Sequence, residues 1–244
     1  KYSFIGGLRA TAQMISYEIP MGLALLCVVL TAGTLLPQEI VAQQLNGQWF
    51  LIQQPIVAIV FYLCMLAESG RAPFDLAEAE QELIGGWHTE YSSMKWALFF
   101  MGEYIHVVIG SAFFATLFLG GWSLNPLTGW DIPQTGGILL ILLQFGIVLS
   151  KVFLLVFLTM MVRWTLPRFR FDQLMRLAWE GLIPLSLLVL LMTSVFVYLG
   201  WTSWLWAGSL GCLALIWVLL PFMPGQASPN HKIGLIGSRF SPPA

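Results

Sequence analysis

Charge is what this sequence has least of. Only 9% of its 244 residues are Asp, Glu, Lys or Arg, against roughly 25% in a soluble domain. With 58% hydrophobic residues, too few polar side chains remain to coat a water-soluble fold of this length, which excludes that class. The net charge of −1 leaves no field to gather nucleic acid or acidic substrates. Cysteine is scarce as well: Cys27, Cys64 and Cys212 are scattered through apolar stretches, and no Cys-x-x-Cys occurs. A disulfide framework and an iron–sulfur centre are therefore not expected, and buried core positions are the ordinary reading. The three histidines, His88, His106 and His231, lack zinc spacing, so no metal site is expected. No hydrolase constellation is present, and no residue is assigned a catalytic role. The chain opens on Lys1 with no signal-peptide pattern before its first apolar run, and its natural start is expected to be missing.

Long apolar runs are what it has instead. A helix crossing about 30 Å of hydrocarbon needs roughly 20 mostly apolar residues. Six segments qualify, about 14–36, 51–68, 97–121, 137–162, 182–200 and 204–223. Backbone polar groups must be satisfied inside a bilayer, and no short alternating segments suggest a barrel, so the spans are expected to be helices. The fold class is all-α: one transmembrane helix bundle over 1–225, then a Pro-, Gly- and Ser-rich tail, 226–244, expected to be mobile. Pro20 and Pro184 are expected near span starts, where proline is tolerated.

With six spans, ten of the eleven Lys and Arg residues fall on one side, and Lys151 lies inside a span. The positive-inside rule makes the charged side cytoplasmic. Acidic residues are clustered too. Six of twelve lie between Glu68 and Glu90, in AESGRAPFDLAEAEQELIGGWHTE: Glu68, Asp75, Glu78, Glu80, Glu82 and Glu90. A solvated loop is the usual fate of such a run. Against it stand Pro73, Phe74, Leu76, Leu83, Ile84, Trp87 and Tyr91, which give the loop too much apolar surface, and the continuation of charge into the spans at Glu68 and Glu103.

Ionisable groups at bilayer depth are costly and usually face a cavity, a partner or a proton route. Glu18, in SYEIP, fits a snorkelling role as well as a functional one. Lys151, mid-span in LSKVFLL, needs a carboxylate or a polar cavity. His106 is one turn beyond Glu103 and shares its helix face. Carboxylates in such a row can exchange protons, the minimum for a proton path. A second charged segment, RWTLPRFRFDQLMRLAWEGLIP, reads as an amphipathic connector against headgroups, or as a docking surface or pocket wall. In it Arg168 and Arg170 could pair with the carboxylates of the first loop.

Three stretches now carry a resemblance: RATAQMISYEIP, the long acidic segment through MGEY, and RWTLPRFRFDQLM. In the same order and spacing they resemble the quinone-site membrane subunit of respiratory NADH:quinone oxidoreductase (complex I), called the H subunit in bacteria and subunit 1 in mitochondria. The resemblance covers nearly the whole chain to about residue 200. It implies a membrane subunit that forms the quinone chamber with hydrophilic-arm subunits, beside small and antiporter-like membrane subunits. It implies quinone as substrate at a shared site, no cofactor held by this chain alone, and coupling of quinone reduction to proton movement. By position, Arg71, Asp75, Glu78, Glu80, Glu82, Arg168, Arg170 and Asp172 match the chamber and its loops. Glu18, Glu68, Glu90, Glu103 and Lys151 match the proton path. Arg163 also falls on the family's basic segment.

Two departures, Ala77 where many bacterial members have proline and Trp87 where a smaller aromatic is common, remove no charge. About three spans that family members carry before SYE are missing. The last span resembles an extra C-terminal helix of some bacterial members, which implies a bacterial inner membrane. The membrane anchor of an energy-converting hydrogenase is the alternative; PFDLAEAEQEL with HTEYSSMK favours the quinone enzyme. A secondary transporter would show paired repeats or broken helices, and neither is evident.

Overall fold

The structure, a computed structural model, describes residues 2–70, 73–75, 91–127 and 137–219. Among these every regular element is helical, as expected of a polytopic bundle. In order they are α1 (Tyr2–Ala32), α2 (Pro37–Asn46), α3 (Phe50–Gln53), α4 (Pro55–Glu68), α5 (Ser93–Phe118), α6 (Ile138–Thr165), α7 (Phe171–Arg176), a π-helical turn (Leu177–Leu182), α8 (Ile183–Tyr198), a 3-10 turn (Thr202–Trp204) and α9 (Leu205–Leu219). Among the described residues four stretches are long and apolar enough to cross a membrane: Ser3–Ala32, Ser93–Phe118, Ile138–Thr165 and Phe171–Tyr198.

The segment expected at 51–68 is not one continuous helix. Pro55 disfavours the α conformation for the residue before it, and Gln54 sits at φ −136°, ψ 65°. The break leaves α4 with 14 residues, about 21 Å at 1.5 Å per residue. The described part of the last expected span, α9, has 15 residues, and residues from 220 onward lie outside the described ones.

Of the two prolines expected near span starts, Pro184 is the second residue of α8, whereas Pro20 is not at a helix start. Pro20 lies inside α1, because that helix begins well before the apolar run, at Tyr2. Its ring nitrogen has no hydrogen to donate to the Ser16 carbonyl. Pro184 lies inside the continuous stretch Phe171–Tyr198. The π turn just ahead of it widens the backbone where the proline ring would meet the carbonyl four residues back. Gly33 ends α1 at φ +68°, its N–H donating to the Val29 carbonyl at 2.7 Å, the left-handed stop that glycine takes readily.

α1 packs on α4 and α8, α5 on α6, and α9 on α8. The core between them holds Tyr17, Cys27, Val28, Val57, Phe61, Cys64, Phe118 and Val189. Phe61 meets Phe113, Phe114 and Phe118 with ring centroids 6.3, 6.2 and 5.5 Å away. All three cysteines are buried and free. Much of α6 stays exposed, including Leu139, Phe145, Phe153 and Leu154, a surface suited to lipid or neighbouring spans rather than water.

Candidate proton-relay cavity and basic staple

Three helices contribute a stripe with the same spacing, i, i+3, i+4, i+7, or part of it. α1 gives Glu18, Met21, Gly22 and Leu25; α4 gives Phe61, Met65 and Glu68; α5 gives His106, Ile109, Gly110 and Phe113. Residues so spaced lie on one helix face. The three faces line an open cavity of about 270 Å³. Its wall is apolar apart from Glu18, Glu68 and His106. His106 Nε2 lies 3.7 Å from Glu68 Oε1. The two side chains are 43% and 22% exposed in this chain, so the contact is read for chemistry and not for stability. Glu103 precedes His106 by one turn on α5. Gly110 permits the close approach of α5 to α4: a Cβ there would stand 2.8 Å from Met65 Cγ and 2.9 Å from its Sδ.

At the same end of the bundle as Glu68, the residues after α4 are stapled to α1 and α7. Buried Gln13 donates through Nε2 to the carbonyls of Ala67 and Phe74, both at 2.9 Å. Each such bond contributes about 0.5–1.5 kcal/mol, and a buried carbonyl left unpaired costs more. Tyr17 donates to the Leu174 carbonyl at 3.1 Å and sets its ring 6.0 Å from that of Phe74. Phe74 in turn lies 5.6 Å from Phe169, whose N–H donates to the Pro73 carbonyl at 3.3 Å. Arg168 completes the staple: Nη2 is 3.6 Å from Asp75 Oδ2 and also donates to the Asp75 backbone carbonyl. Trp179 donates to the Ser16 hydroxyl at 3.1 Å, and the Arg9 guanidinium lies 5.4 Å from the centre of the Phe171 ring.

Lys151 stands elsewhere. Its ammonium donates to the carbonyls of Leu119 at 2.5 Å and Gly121 at 2.8 Å, and to that of Ser123. These are carbonyls just past the C-terminal end of α5, where a cation is favoured. It also lies 4.4 Å from the centre of the Trp49 ring, a cation–π contact. The Trp49 indole N–H donates to the Ser123 hydroxyl at 3.1 Å. Gly120, at φ +68°, leaves room for this ring: a Cβ would meet Trp49 Nε1 at 2.8 Å. Along α5, 13 residues separate His106 from Leu119, about 20 Å of helix.

The residues expected on a proton path thus divide. Glu18 and Glu68 share the cavity, Glu103 continues its α5 face, and Lys151 holds the far end of α5. Of the chamber residues, Asp75 and Arg168 meet. Arg170 stands at the N-cap of α7, its N–H donating to Gln173 Oε1 at 3.2 Å, and Asp172 lies in the first turn of that helix. Arg71, Glu78, Glu80, Glu82 and Glu90 lie outside the described residues. Sequence reasoning assigns no role to Gln13, Tyr17 or Trp49, and notes His106 only as a neighbour of Glu103. The Gln13–Tyr17 spacing, i to i+4 within an apolar helix, is the available signal for the first two.

The comparisons with known proteins agree with one another. A family model described as NADH dehydrogenase matches residues 1–194. The chain is 53% identical over 196 residues to the NADH-quinone oxidoreductase H subunit of Protochlamydia amoebophila (strain UWE25), covering 80% of this chain and 55% of that protein. It is 47% identical over 201 residues to the first NADH-quinone oxidoreductase H subunit of Geobacter sulfurreducens, covering 82% and 53%. It is 48% identical over 194 residues to NADH-quinone oxidoreductase subunit 8 of Rhodothermus marinus, covering 77% and 57%. The chain spans about half the length of the curated relatives it matches. With the helical bundle, the carboxylates on its apolar helices and these matches in agreement, the chain belongs to the NADH dehydrogenase family.

Proposed function

We propose that this chain is the larger part of the quinone-site membrane subunit of a proton-translocating NADH:quinone oxidoreductase. Hydride and electron chemistry take place on other subunits. Quinone is the substrate at a site shared with hydrophilic-arm subunits, toward which the stapled segments around Asp75, Arg168, Arg170 and Asp172 contribute, together with Arg71, Glu78, Glu80 and Glu82. Small and antiporter-like membrane subunits lie alongside in the bilayer. The membrane is a bacterial inner membrane, with the charged segments on its cytoplasmic side. No cofactor belongs to this chain alone.

The observation that carries the reading is the meeting of Glu18 and Glu68, from two helices, on one apolar cavity directly beside the staple that ties Asp75 to Arg168. Carboxylates on a largely apolar cavity hold or release a proton according to nearby charge. Reduction of quinone at the stapled end changes that charge. Glu18, Glu68, Glu90 and Glu103 then pass the change inward as altered protonation. Lys151 contributes by fixing the helix that bears Glu103.

The test is NADH:quinone reductase activity, with and without a quinone-site inhibitor, in membranes carrying the complete enzyme, in wild type and Asp75→Asn. Inhibitor-sensitive activity that falls in the variant supports the quinone role. Normal activity in the variant moves that role off this segment. Ferredoxin-linked hydrogen evolution without quinone activity would instead assign the chain to an energy-converting hydrogenase.

A further inference from the structure

We propose that His106 is a proton-carrying residue of this chain, the link that joins Glu68 on α4 to Glu103 on α5. The proposal rests on the proton-path reading given above and adds to it a residue that the pattern of carboxylates leaves out.

Glu68 and Glu103 are on different helices. One imidazole lies near the first and shares a helix face with the second. Nε2 of His106 is 3.7 Å from Glu68 Oε1. That separation exceeds a hydrogen bond and is closed by a small side-chain movement. The second ring nitrogen, Nδ1, is buried with no hydrogen-bond partner among the described residues. A buried imidazole nitrogen without a partner is costly if its role is structural. It is the arrangement a relay needs, since a relay takes a proton at one nitrogen and gives one up at the other. The cavity's titratable groups are Glu18 from α1, Glu68 from α4 and His106 from α5, with Glu103 one turn before His106.

The transfer balances without any further reactant. Protonated Glu68 gives its proton to Nε2, leaving a carboxylate and an imidazolium. The imidazolium passes its Nδ1 proton to the Glu103 carboxylate, leaving a neutral ring in the other tautomer and a protonated Glu103. A return of the ring to its first tautomer resets the link. Histidine suits this because its charge changes near neutral pH and its two nitrogens are distinct.

The experiment uses the assembled complex in inverted membrane vesicles. Enzyme content is normalised by NADH:ferricyanide activity, which does not pass through the membrane subunit. His106→Gln keeps polar atoms but cannot carry a proton; quinone-linked proton uptake and quinone reductase rate are expected to fall at least fivefold. His106→Ala enlarges the cavity, and millimolar imidazole in the medium is expected to restore at least a third of the lost rate. Glu68→Gln is measured beside them. If Glu68→Gln is slow while His106→Gln runs at the wild-type rate, or imidazole does not lift His106→Ala, the histidine link is overturned and the carboxylate path stands. If Glu68→Gln itself runs at the wild-type rate, the path reading fails, and the link fails with it.

Discussion

Arg168 holds Asp75 twice, through the side-chain carboxylate at 3.6 Å and through its backbone carbonyl. The two residues are 93 positions apart in sequence, so this contact fastens the segment after α4 to the segment before α7. A guanidinium presents several donors in a fixed fork; a lysine ammonium is a point charge on a flexible stem. Arg168→Lys is therefore expected to keep assembly and lose a large part, about threefold or more, of the inhibitor-sensitive quinone reductase rate. Arg168→Ala is expected to lose more. Equal, wild-type rates in both variants would detach this contact from the quinone site. The pair is partly exposed, so loss of the ion pair itself should change stability by no more than about 1 kcal/mol.

Gln13 is expected to matter through the same segment. Gln13→Leu removes two buried bonds, to Ala67 and Phe74; the Ala67 carbonyl keeps the Gly70 N–H at 3.4 Å, while that of Phe74 must find another donor. The expected local destabilisation is about 2–3 kcal/mol. Hydrogen exchange reads it as faster exchange of the amides of 66–69, 74 and 75, with α8 unchanged. Uniformly faster exchange would mean that the whole bundle had loosened.

Lys151 offers a choice between two chemistries. As a clamp on the end of α5, its replacement by Met should lower the thermal stability of the complex, by about 2–4 kcal/mol for a lost set of charge-assisted bonds with carbonyls left behind. As a proton carrier, its replacement should leave stability intact and abolish pumping. The three carbonyl contacts predict the first outcome. Thermal inactivation half-life, measured beside proton uptake, separates them.

Gly110 keeps α4 and α5 close at the cavity. Gly110→Ala puts a methyl group against Met65, whose flexible side chain must swing away. A modest loss of activity, about twofold to fivefold, is expected. Met65→Ala in the same chain should recover most of it, since it removes the atoms the new methyl group would meet. A double variant no better than the single one would mean that the backbone, and not Met65, sets the limit.

Much of this is legible in the sequence, for reasons that can be named. Glu18, Glu68 and Glu103 stand out because charge in an apolar run has few explanations, and the Arg168–Asp75 pairing follows from two oppositely charged segments on one side. What the sequence does not show is the stagger of one helix against another. Lys151 asks for polar company, but only the offset of α6 along α5 reveals that the company is Leu119, Gly121 and Ser123. Pro20 falls inside its helix rather than at its start because apolar runs mark where a helix meets lipid, not where it begins. The Gln54–Pro55 break is readable from the proline and is masked by the unbroken hydrophobicity around it. His106 is visible but silent, since nothing along the chain says that Glu68 returns to face it.

The clamp at Lys151 makes α5 a lever with a fixed pivot. One end is gripped by an ammonium and an indole, while residues from Tyr91 through Gly102 at the other end are exposed. His106 lies about 20 Å from that pivot, so a tilt of only about 5° carries it about 1.7 Å. That displacement is close to half the 3.7 Å gap to Glu68. A push on the exposed end of α5 from a neighbouring subunit would thereby make or break the Glu68–His106 contact.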